Sequence, residues 1–277
     1  MNRNKHYISL IYVLGVMLVI LSAVAVSTYA WFTSNQRVYT TTVNASTGSD
    51  EVKLLLGSSR DKLSSQPCVI TEDNMNDQIV LYPVSTADLM TFVAMEGMET
   101  NTTFRRITDE DQYYYHGRFY LQAQSDTEKK VTLYLDERNG SLIEQVDRNE
   151  VLNASRFALV INQQGEILTV SDENNDQTDQ IENTYINGEQ ITGEKVITLD
   201  EDGNPEAVEL TPLYLVDACI QQDGETAVYP QYQYTIMTGQ VYACDVYFWL
   251  EGTDVDCSDA LSFQQLDLNI SLLGVVG

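Results

Sequence analysis

The chain has 277 residues, of which 41 are Asp or Glu and 15 are Lys or Arg, so its formal net charge is −26 at pH 7. This charge repels nucleic acid and anionic lipid headgroups, which excludes nucleic-acid-binding proteins and proteins that dock on anionic membrane surfaces. It is compatible with a soluble protein, with cation binding or with a basic partner.

The first thirty residues have the composition of a targeting segment. Arg3 and Lys5 form a basic start, and residues 8–26 are an apolar run interrupted only by two serines and one glycine. This pattern is typical of a secretory signal. The run is also long enough to span a bilayer, so an uncleaved signal anchor stays as the alternative. Both interpretations place the rest of the chain outside the cytoplasm, with membrane contact only through this segment.

Small residues mark a signal-peptidase site at the end of this segment. Thr28 and Ala30 occupy the −3 and −1 positions of a cleavage that would make Trp31 the first mature residue. We therefore predict two parts, residues 1–30 as signal peptide or signal anchor and residues 31–277 as one extracellular domain. Removing residues 1–30 deletes two basic residues and no acidic ones, which changes the net charge from −26 to −28.

Beyond residue 36 the hydrophobic pattern has a period of two, which predicts β-strands with one buried face. Residues 38–43 are β-branched and aromatic, as strands prefer. Further along, the alternation is clearest in four stripes, which are Phe119, Leu121 and Ala123; Val131, Leu133 and Leu135; Tyr242, Cys244, Val246, Phe248 and Leu250; and Leu266, Leu268, Ile270 and Leu272.

Turn residues separate these runs, and helical patterns are scarce. Breaks are expected at 139–140, 187–188, 202–205 and 223–224, where Asn-Gly, Asp-Gly or Gly-Asn-Pro occurs. The best helix candidate is 141–152, and a short turn is expected around 87–90. Many short strands between turns predict an all-β, jelly-roll-like β-sandwich with one or two short helices, preceded by the N-terminal signal or signal-anchor helix.

No catalytic motif is present. His116 is the only histidine after the targeting segment, so a zinc-protease helix with two histidines is excluded, and a triad would have to use this one imidazole. Motifs for a nucleophile elbow, a P-loop and a dinucleotide-binding turn are also absent. We expect no enzymatic activity.

Calcium is the one cofactor that the sequence suggests. The acidic cluster Glu251, Asp254, Asp256 and Asp259 follows a strongly predicted strand, and calcium binds closely spaced carboxylates on loops. The alternative is an acidic turn that keeps the chain soluble.

Cysteines and tyrosines leave alternatives open. The even number of cysteines in an exported chain allows two disulfides in three connectivities, among Cys68, Cys219, Cys244 and Cys257. These thiols would stay reduced in an anoxic environment. The tyrosines at 229, 232 and 234 suggest either strand packing or a stacking platform for a sugar.

Two windows resemble known proteins. Residues 27–33 (STYAWFT) resemble the signal-peptide end of proteins processed by the SipW-type signal peptidase of Gram-positive bacteria, the group that includes the TasA and camelysin-like families. Residues 248–257 (FWLEGTDVDC) resemble a segment near the C-terminus of clostridial proteins with the same kind of signal. The resemblance implies a secreted jelly-roll domain of a Firmicute.

The same resemblance implies assembly into biofilm fibres by strand donation. The donor segment would be 31–45, which includes Val38, Tyr39, Thr41 and Val43, and it is expected to be dispensable for the fold of the remaining chain. The sequence therefore predicts a structural protein of the cell surface or extracellular matrix that associates with itself or with other surface proteins. The alternative is a membrane-anchored monomer that binds a glycan or a protein partner.

Overall fold

The computed structural model describes residues 36–49, 51–70, 79–96, 103–111, 113–138, 140, 142–145, 150–170, 185–186, 189–190, 195–224, 226–254, 257 and 265–276. The predicted signal segment, with its cleavage residues Thr28, Ala30 and Trp31, lies outside these ranges. Among the described residues, no helix is both long and apolar enough to cross a bilayer.

Strands make up most of the described chain, and they are numbered here in chain order. They are β1 (Gln36–Thr47), β2 (Lys53–Ser59), β3 (Lys62–Ser64), β4 (Cys68–Val69), β5 (Ile79–Leu81), β6 (Pro83–Ser85), β7 (Phe92–Glu96), β8 (Thr103–Ile107), β9 (Tyr115–Gln124), β10 (Lys130–Asp136), β11 (Ile143–Gln145) and β12 (Ser155–Ile161). They continue with β13 (Leu168–Thr169), β14 (Tyr185–Ile186), β15 (Glu189–Gln190), β16 (Lys195–Leu199), β17 (Pro205–Glu209), β18 (Leu213–Tyr214), β19 (Cys219–Asp223), β20 (Thr226–Val228), β21 (Tyr234–Met237), β22 (Val241–Glu251) and β23 (Gln265–Val276). Two short helices, α1 (Glu150–Ala154) and α2 (Leu215–Ala218), and a 3-10 turn at Asp109–Asp111 complete the described elements.

Two large sheets form a sandwich, which confirms the predicted all-β class. In the first sheet the order is β20-β19-β10-β23-β1-β4, with β5, β11 and β21 paired alongside. In the second sheet β22 lies between β12 and β9, β9 continues to β2 and β3, and β6, β7 and β8 follow beside the end of β22. The hairpins β14-β15 and β16-β17 are separate two-stranded sheets.

The core lies between the two large sheets and consists of the predicted stripes. Every stripe residue whose burial the structure describes is buried, several of them completely, as in Phe119, Leu121, Val131, Leu133, Leu135, Phe248, Leu268, Ile270 and Leu272. Because successive residues of a strand point to opposite faces, one apolar residue in two is enough to build such a layer. A second, smaller cluster on the other face of the second sheet contains Phe92, Tyr114 and Trp249.

β1 occupies an interior position in the first sheet. It runs parallel to β23 from the pair Arg37–Gln265 to the pair Thr47–Gly274, with a bulge between Val38 and Thr40. Its other edge pairs antiparallel with β4 and β5. The predicted strand at 38–43 is therefore present, but its parallel partner 230 residues further along the chain was not predicted.

The predicted helix at 141–152 is wrong at residues 143–145 and confirmed at residues 150–152, while residues 141 and 146–149 lie outside the described ranges. Residues 143–145 form β11, which pairs antiparallel with β23 and places Ile143 opposite Leu268. The described helix α1 starts at Glu150. The open edge of β23 offers backbone hydrogen bonds and an apolar contact, and these outweigh a weak local helical preference. The predicted turns at 87–90, 202–205 and 223–224 are confirmed as bends or turns.

Truncation of a core residue on β23 tests this arrangement. Leu272 is 0% exposed, so Leu272→Ala is expected to lower the free energy of unfolding by about 2–5 kcal/mol, because it removes buried methyl groups and leaves a cavity. Val69→Ala is the control, since Val69 is 50% exposed and should change stability by less than about 0.5 kcal/mol. Urea unfolding followed by tryptophan fluorescence measures both. Equal effects of the two substitutions would contradict the placement of this stripe in the core.

Candidate functional site

A cavity of about 300 Å³ opens beside the end of β22. Its floor is formed by strands of the second sheet, through Arg156 of β12, Thr169 of β13 and Glu251 of β22. Its walls come from three connecting segments and from the start of β16, and they include Leu89, Ile167, Val196, Leu210 and Pro212. The volume lies at the lower end of the range for small-ligand pockets, which is about 300–1,000 Å³.

Glu251 is 1% exposed and lies at the centre of a hydrogen-bond network in the floor. Its Oε1 accepts from the backbone N–H of Thr253 at 3.3 Å and lies 2.9 Å from the Thr253 hydroxyl, and its Oε2 accepts from the indole N–H of Trp249 at 3.2 Å. Burial raises the pKa of this carboxyl, while the charge of Arg156 and the hydrogen bonds from Ser85, Trp249 and Thr253 oppose that rise. The network fixes the Glu251 side chain in one position.

A buried ion pair lies next to Glu251. The Nη2 of Arg156 donates to Oδ2 of Asp254 at 2.9 Å, and the two side chains are only 11% and 3% exposed. The Nη1 of Arg156 donates to the backbone carbonyls of Asn153 and Ser155, each at 3.1 Å. These bonds orient the guanidinium in the plane of the floor, because its donors have a fixed fork geometry.

Polar burial in the described chain is concentrated around this cavity. The described chain has ten buried polar or charged residues. Seven of them line the cavity or adjoin a residue that does, namely Ser85, Thr86, Ser155, Thr169, Glu251, Thr253 and Asp254. Burial of polar groups is costly unless each group is hydrogen-bonded, so a cluster of this kind is a mark of a functional site. A polar network that only stabilises the strand ends would have similar contacts. The open volume above the floor favours ligand binding over this purely structural role.

Leu89 adds backbone strain to the wall of the cavity. Its φ of 60° lies in the left-handed region, where a residue with a β-carbon is disfavoured. The bend is stabilised by Thr86, whose hydroxyl accepts from the Leu89 N–H at 3.1 Å, and by Asp88, whose Oδ1 accepts from the N–H groups of Met90 and Thr91 at 2.8 Å. Strained residues of this kind cluster at ligand sites.

At the mouth the charged groups are more exposed. Asp88 and Glu166 line it together with Lys195, which forms no ion pair with any residue that the structure describes. The cavity thus combines apolar walls, a fixed polar floor and, at Lys195, a cation with no ion-pair partner among the described residues. This arrangement can hold a small organic molecule and orient it by hydrogen bonds.

Two of the four predicted calcium ligands belong to this floor, but in another role. Glu251 and Asp254 bind neighbouring side chains and backbone groups, as described above, and the carboxylate of Asp254 faces Arg156. Asp256 and Asp259 lie outside the described residues. Among the residues that are described, no group of three or more His, Cys, Asp or Glu side chains is arranged to hold a metal ion. Calcium binding by the cluster stays a prediction.

The sequence allowed either two disulfides or reduced thiols, and all four cysteines are free in the structure. Cys68 lies opposite Val43 of β1, and Cys219 lies opposite Leu135 of β10. Cys244 is 0% exposed in β22, and Cys257 is half-buried beside the main core. The buried thiols occupy apolar positions on different strands, and burial raises the pKa of Cys219 and Cys244, which keeps both thiols protonated.

Of the two alternatives for the tyrosines at 229, 232 and 234, strand packing is the one that Tyr234 supports. Tyr234 is 1% exposed, and its hydroxyl donates to the carbonyl of Leu159 at 2.7 Å, so it packs in the core. Its ring contacts that of Tyr232 edge-on at 5.3 Å. Only Tyr229 is well exposed, at 47%. His116 lies between Asp109 and Asp245, and neither it nor these two carboxylates lines the cavity.

The sequence contains one signal for the site that the prediction missed. Residues 246–250 form an apolar run rather than an alternation, which is typical of a strand that is covered on both faces. A carboxylate directly after such a run, as in Glu251, is then expected to be buried. Arg156 gives no comparable signal, because its pairing with Asp254 joins residues 98 positions apart.

Removal of the buried arginine tests the floor. Arg156→Met is expected to lower the free energy of unfolding by about 3–5 kcal/mol, because it leaves the carboxylate of Asp254 buried without its counter-charge. The double variant Arg156→Met, Asp254→Leu should recover part of this loss. Arg105→Met is the matched control, since the Arg105–Asp111 pair is more exposed, at 42% and 27%, and its loss should cost much less stability. Equal losses for Arg156→Met and Arg105→Met in urea unfolding would show that the inner pair is not buried.

Comparison of the chain with protein-family models, with curated proteins and with solved structures finds no match of any of the three kinds. The proposals below therefore rest on the sequence and on the geometry of this chain.

Proposed function

We propose that the protein is an exported structural component of the cell surface or extracellular matrix, and that it assembles into fibres by donating β1 to a neighbouring copy. The observation that carries this proposal is the position of β1. This strand follows the predicted export segment directly, yet it lies inside the first sheet with partners on both edges. We propose no catalytic activity for the chain.

The pairing of β1 makes an exchange between copies physically reasonable. The strand places Thr41 and Val43, which are 3% and 0% exposed, in the core and forms backbone hydrogen bonds with β23 on one side. Withdrawal of β1 would leave an apolar groove between β23 and β4, and the same strand of another copy would match it residue for residue. A head-to-tail contact in which each copy gives a strand to the next generates an open filament when the rotation between copies does not close a ring.

One expectation about the donor segment needs correction. The segment 31–45 was expected to be dispensable for the fold, but residues 36–45 belong to β1 and Val43 is fully buried. Deletion of the segment removes much of a central strand and should destabilise the first sheet. A donor strand supplied by another molecule would restore it.

An engineered disulfide between β1 and β23 tests the exchange. Thr42 and Asn269 are partners in the parallel register, and both side chains are half-buried on the face away from the core. In the variant Thr42→Cys, Asn269→Cys, with Cys257→Ser to remove the most exposed native thiol, oxidation of the monomer should lock β1 in its own sheet. We expect the locked monomer to stay monomeric in size-exclusion chromatography and to form polymers after reduction.

Oxidation after assembly gives the complementary result. If β1 is exchanged between copies, disulfides form between chains. They appear as a ladder of bands on a non-reducing gel, and the ladder disappears when reductant is added. The two single-cysteine variants are the controls. Polymers that form from the locked monomer would rule out donation of β1, and a chain that stays monomeric under all conditions would rule out the fibre.

The cavity supports a second candidate function, a surface module that binds a small ligand and is anchored by an uncleaved N-terminal segment. Its fixed polar floor, its apolar walls and the lining residue Lys195, which has no ion-pair partner within the described ranges, are the observations that favour this alternative. The absence of an aromatic side chain among the lining residues argues against stacking of a sugar ring there.

Filling the cavity separates the two functions. Ile167 is half-buried in the wall, so Ile167→Trp should occupy much of the 300 Å³ without disturbing β1. If the cavity is the functional site, ligands found by fragment screening with protein-observed NMR should lose affinity at least tenfold in this variant, while Ile167→Val binds as the parent does. Unchanged affinity in Ile167→Trp would place the bound fragments elsewhere.

A further inference from the structure

His116, at the start of β9, lies between two carboxylates from different elements. Its Nδ1 is 3.2 Å from Oδ2 of Asp109, in the 3-10 turn after β8. Its Nε2 is 3.2 Å from Oδ1 of Asp245, on β22. The imidazole also stacks on the ring of Tyr247, with 4.4 Å between centroids and 6° between planes. The ring is therefore fixed in a position where both nitrogens face an acceptor.

Only the protonated form of His116 satisfies both contacts. A neutral imidazole carries one N–H, so it donates to one carboxylate and turns a lone pair toward the other, whereas imidazolium donates to both. We infer that His116, Asp109 and Asp245 form a proton-operated clamp, which fixes the 3-10 turn to the second sheet when the imidazole is charged and releases it when the proton leaves.

The two carboxylates respond differently to loss of the proton. Asp245 is 18% exposed and also accepts from Nε and Nη2 of Arg118, at 2.6 and 3.0 Å. Its strand pairs on both edges with β9 and β12, so it cannot move away. Asp109 is 64% exposed and lies on a short turn. Deprotonation should therefore break the contact with Asp109 and leave the contact with Asp245 in place.

Other titratable and charged groups lie around the clamp. Tyr114 donates its hydroxyl to Oδ1 of Asp109, and Asp111 accepts from Arg105 and from Thr108 elsewhere in the turn. Burial lowers the pKa of His116, but the hydrogen bonds and charges of Asp245 and Asp109 outweigh burial, and the pKa lies above its ordinary value of 6.5. The folded state thus binds the proton more tightly than the unfolded chain does.

The sign of the pH dependence follows from this difference. The stabilisation is fully present below about pH 6.5, the ordinary pKa of histidine, and it is lost as the pH rises through the higher pKa of the folded state. Release of the turn also affects the smaller hydrophobic cluster, since Tyr114 stacks on Phe92 at 3.8 Å and Phe92 meets Trp249 edge-on at 5.6 Å. The clamp therefore couples pH to the shielding of that cluster from solvent.

NMR titration of the His116 ring in the mature chain, residues 31–277, tests the inference. We expect a pKa above 6.5 in the parent and a lower value in Asp109→Asn, which keeps an acceptor for Tyr114 but removes the charge. Asp126→Asn is the control for the general field of an acidic protein, because Asp126 lies beyond the far end of β9, about 30 Å away at the rise of a β-strand. It should leave the His116 pKa unchanged.

Hydrogen exchange supplies a readout that ring titration does not. The Asp111 amide donates to the Thr108 carbonyl within the 3-10 turn at 3.0 Å, and its protection factor should fall across the His116 titration in the parent protein and be independent of pH in His116→Gln. A pKa at or below 6.5 would overturn the inference, and so would equal shifts in Asp109→Asn and Asp126→Asn. A pH-independent protection factor at Asp111 in the parent would show that the turn is not released.

Discussion

The parallel pairing of β1 with β23 is the contact on which the first sheet depends. β4 and β5 reach that sheet through β1, while β10 and β11 reach it through β23. The pairing joins residues about 230 positions apart, so it must overcome a large loop-closure entropy before its hydrogen bonds and buried side chains contribute. Contacts of such long range slow folding, which leaves the groove beside β23 open for longer than any local hairpin. An open groove and a mobile donor are the conditions that exchange between copies requires.

At the end of β22, buried polar side chains directly follow a paired strand. This strand is covered on both faces, by the main core on one side and by the cluster around Trp249 on the other, so the chain leaving it has little access to water. Glu251 and Asp254 enter that environment with partners supplied by β6, β12 and the chain after β22 itself. Fully satisfied networks of this kind are rigid, since each bond restricts its neighbours. The cavity floor is therefore organised before any ligand arrives.

Local patterns in the sequence predicted the parts of the fold that local physics determines. The alternation in Phe119 to Ala123 and in Leu268 to Leu272 identified strands and their buried faces, because side-chain direction in a strand depends only on position. Residues 143–145 were missed because the edge of β23, far away in the chain, decides their conformation. Glu251 and Asp254 were identified as a cluster but assigned to solvent or calcium, since neither Arg156 nor the second covered face of β22 is visible from their neighbourhood. The cysteine count allowed disulfides, and only the strand positions show that the thiols pack singly.

The free thiols have a consequence for the environments in which the protein can work. Domains that are stabilised by disulfides depend on an oxidising compartment and its enzymes to reach their final covalent structure. Here the stabilising role belongs to the apolar core, and thiols such as Cys244 contribute to it as small hydrophobic side chains whose raised pKa keeps them protonated. The fold therefore contains no covalent cross-link that a reductant such as glutathione or sulfide could break.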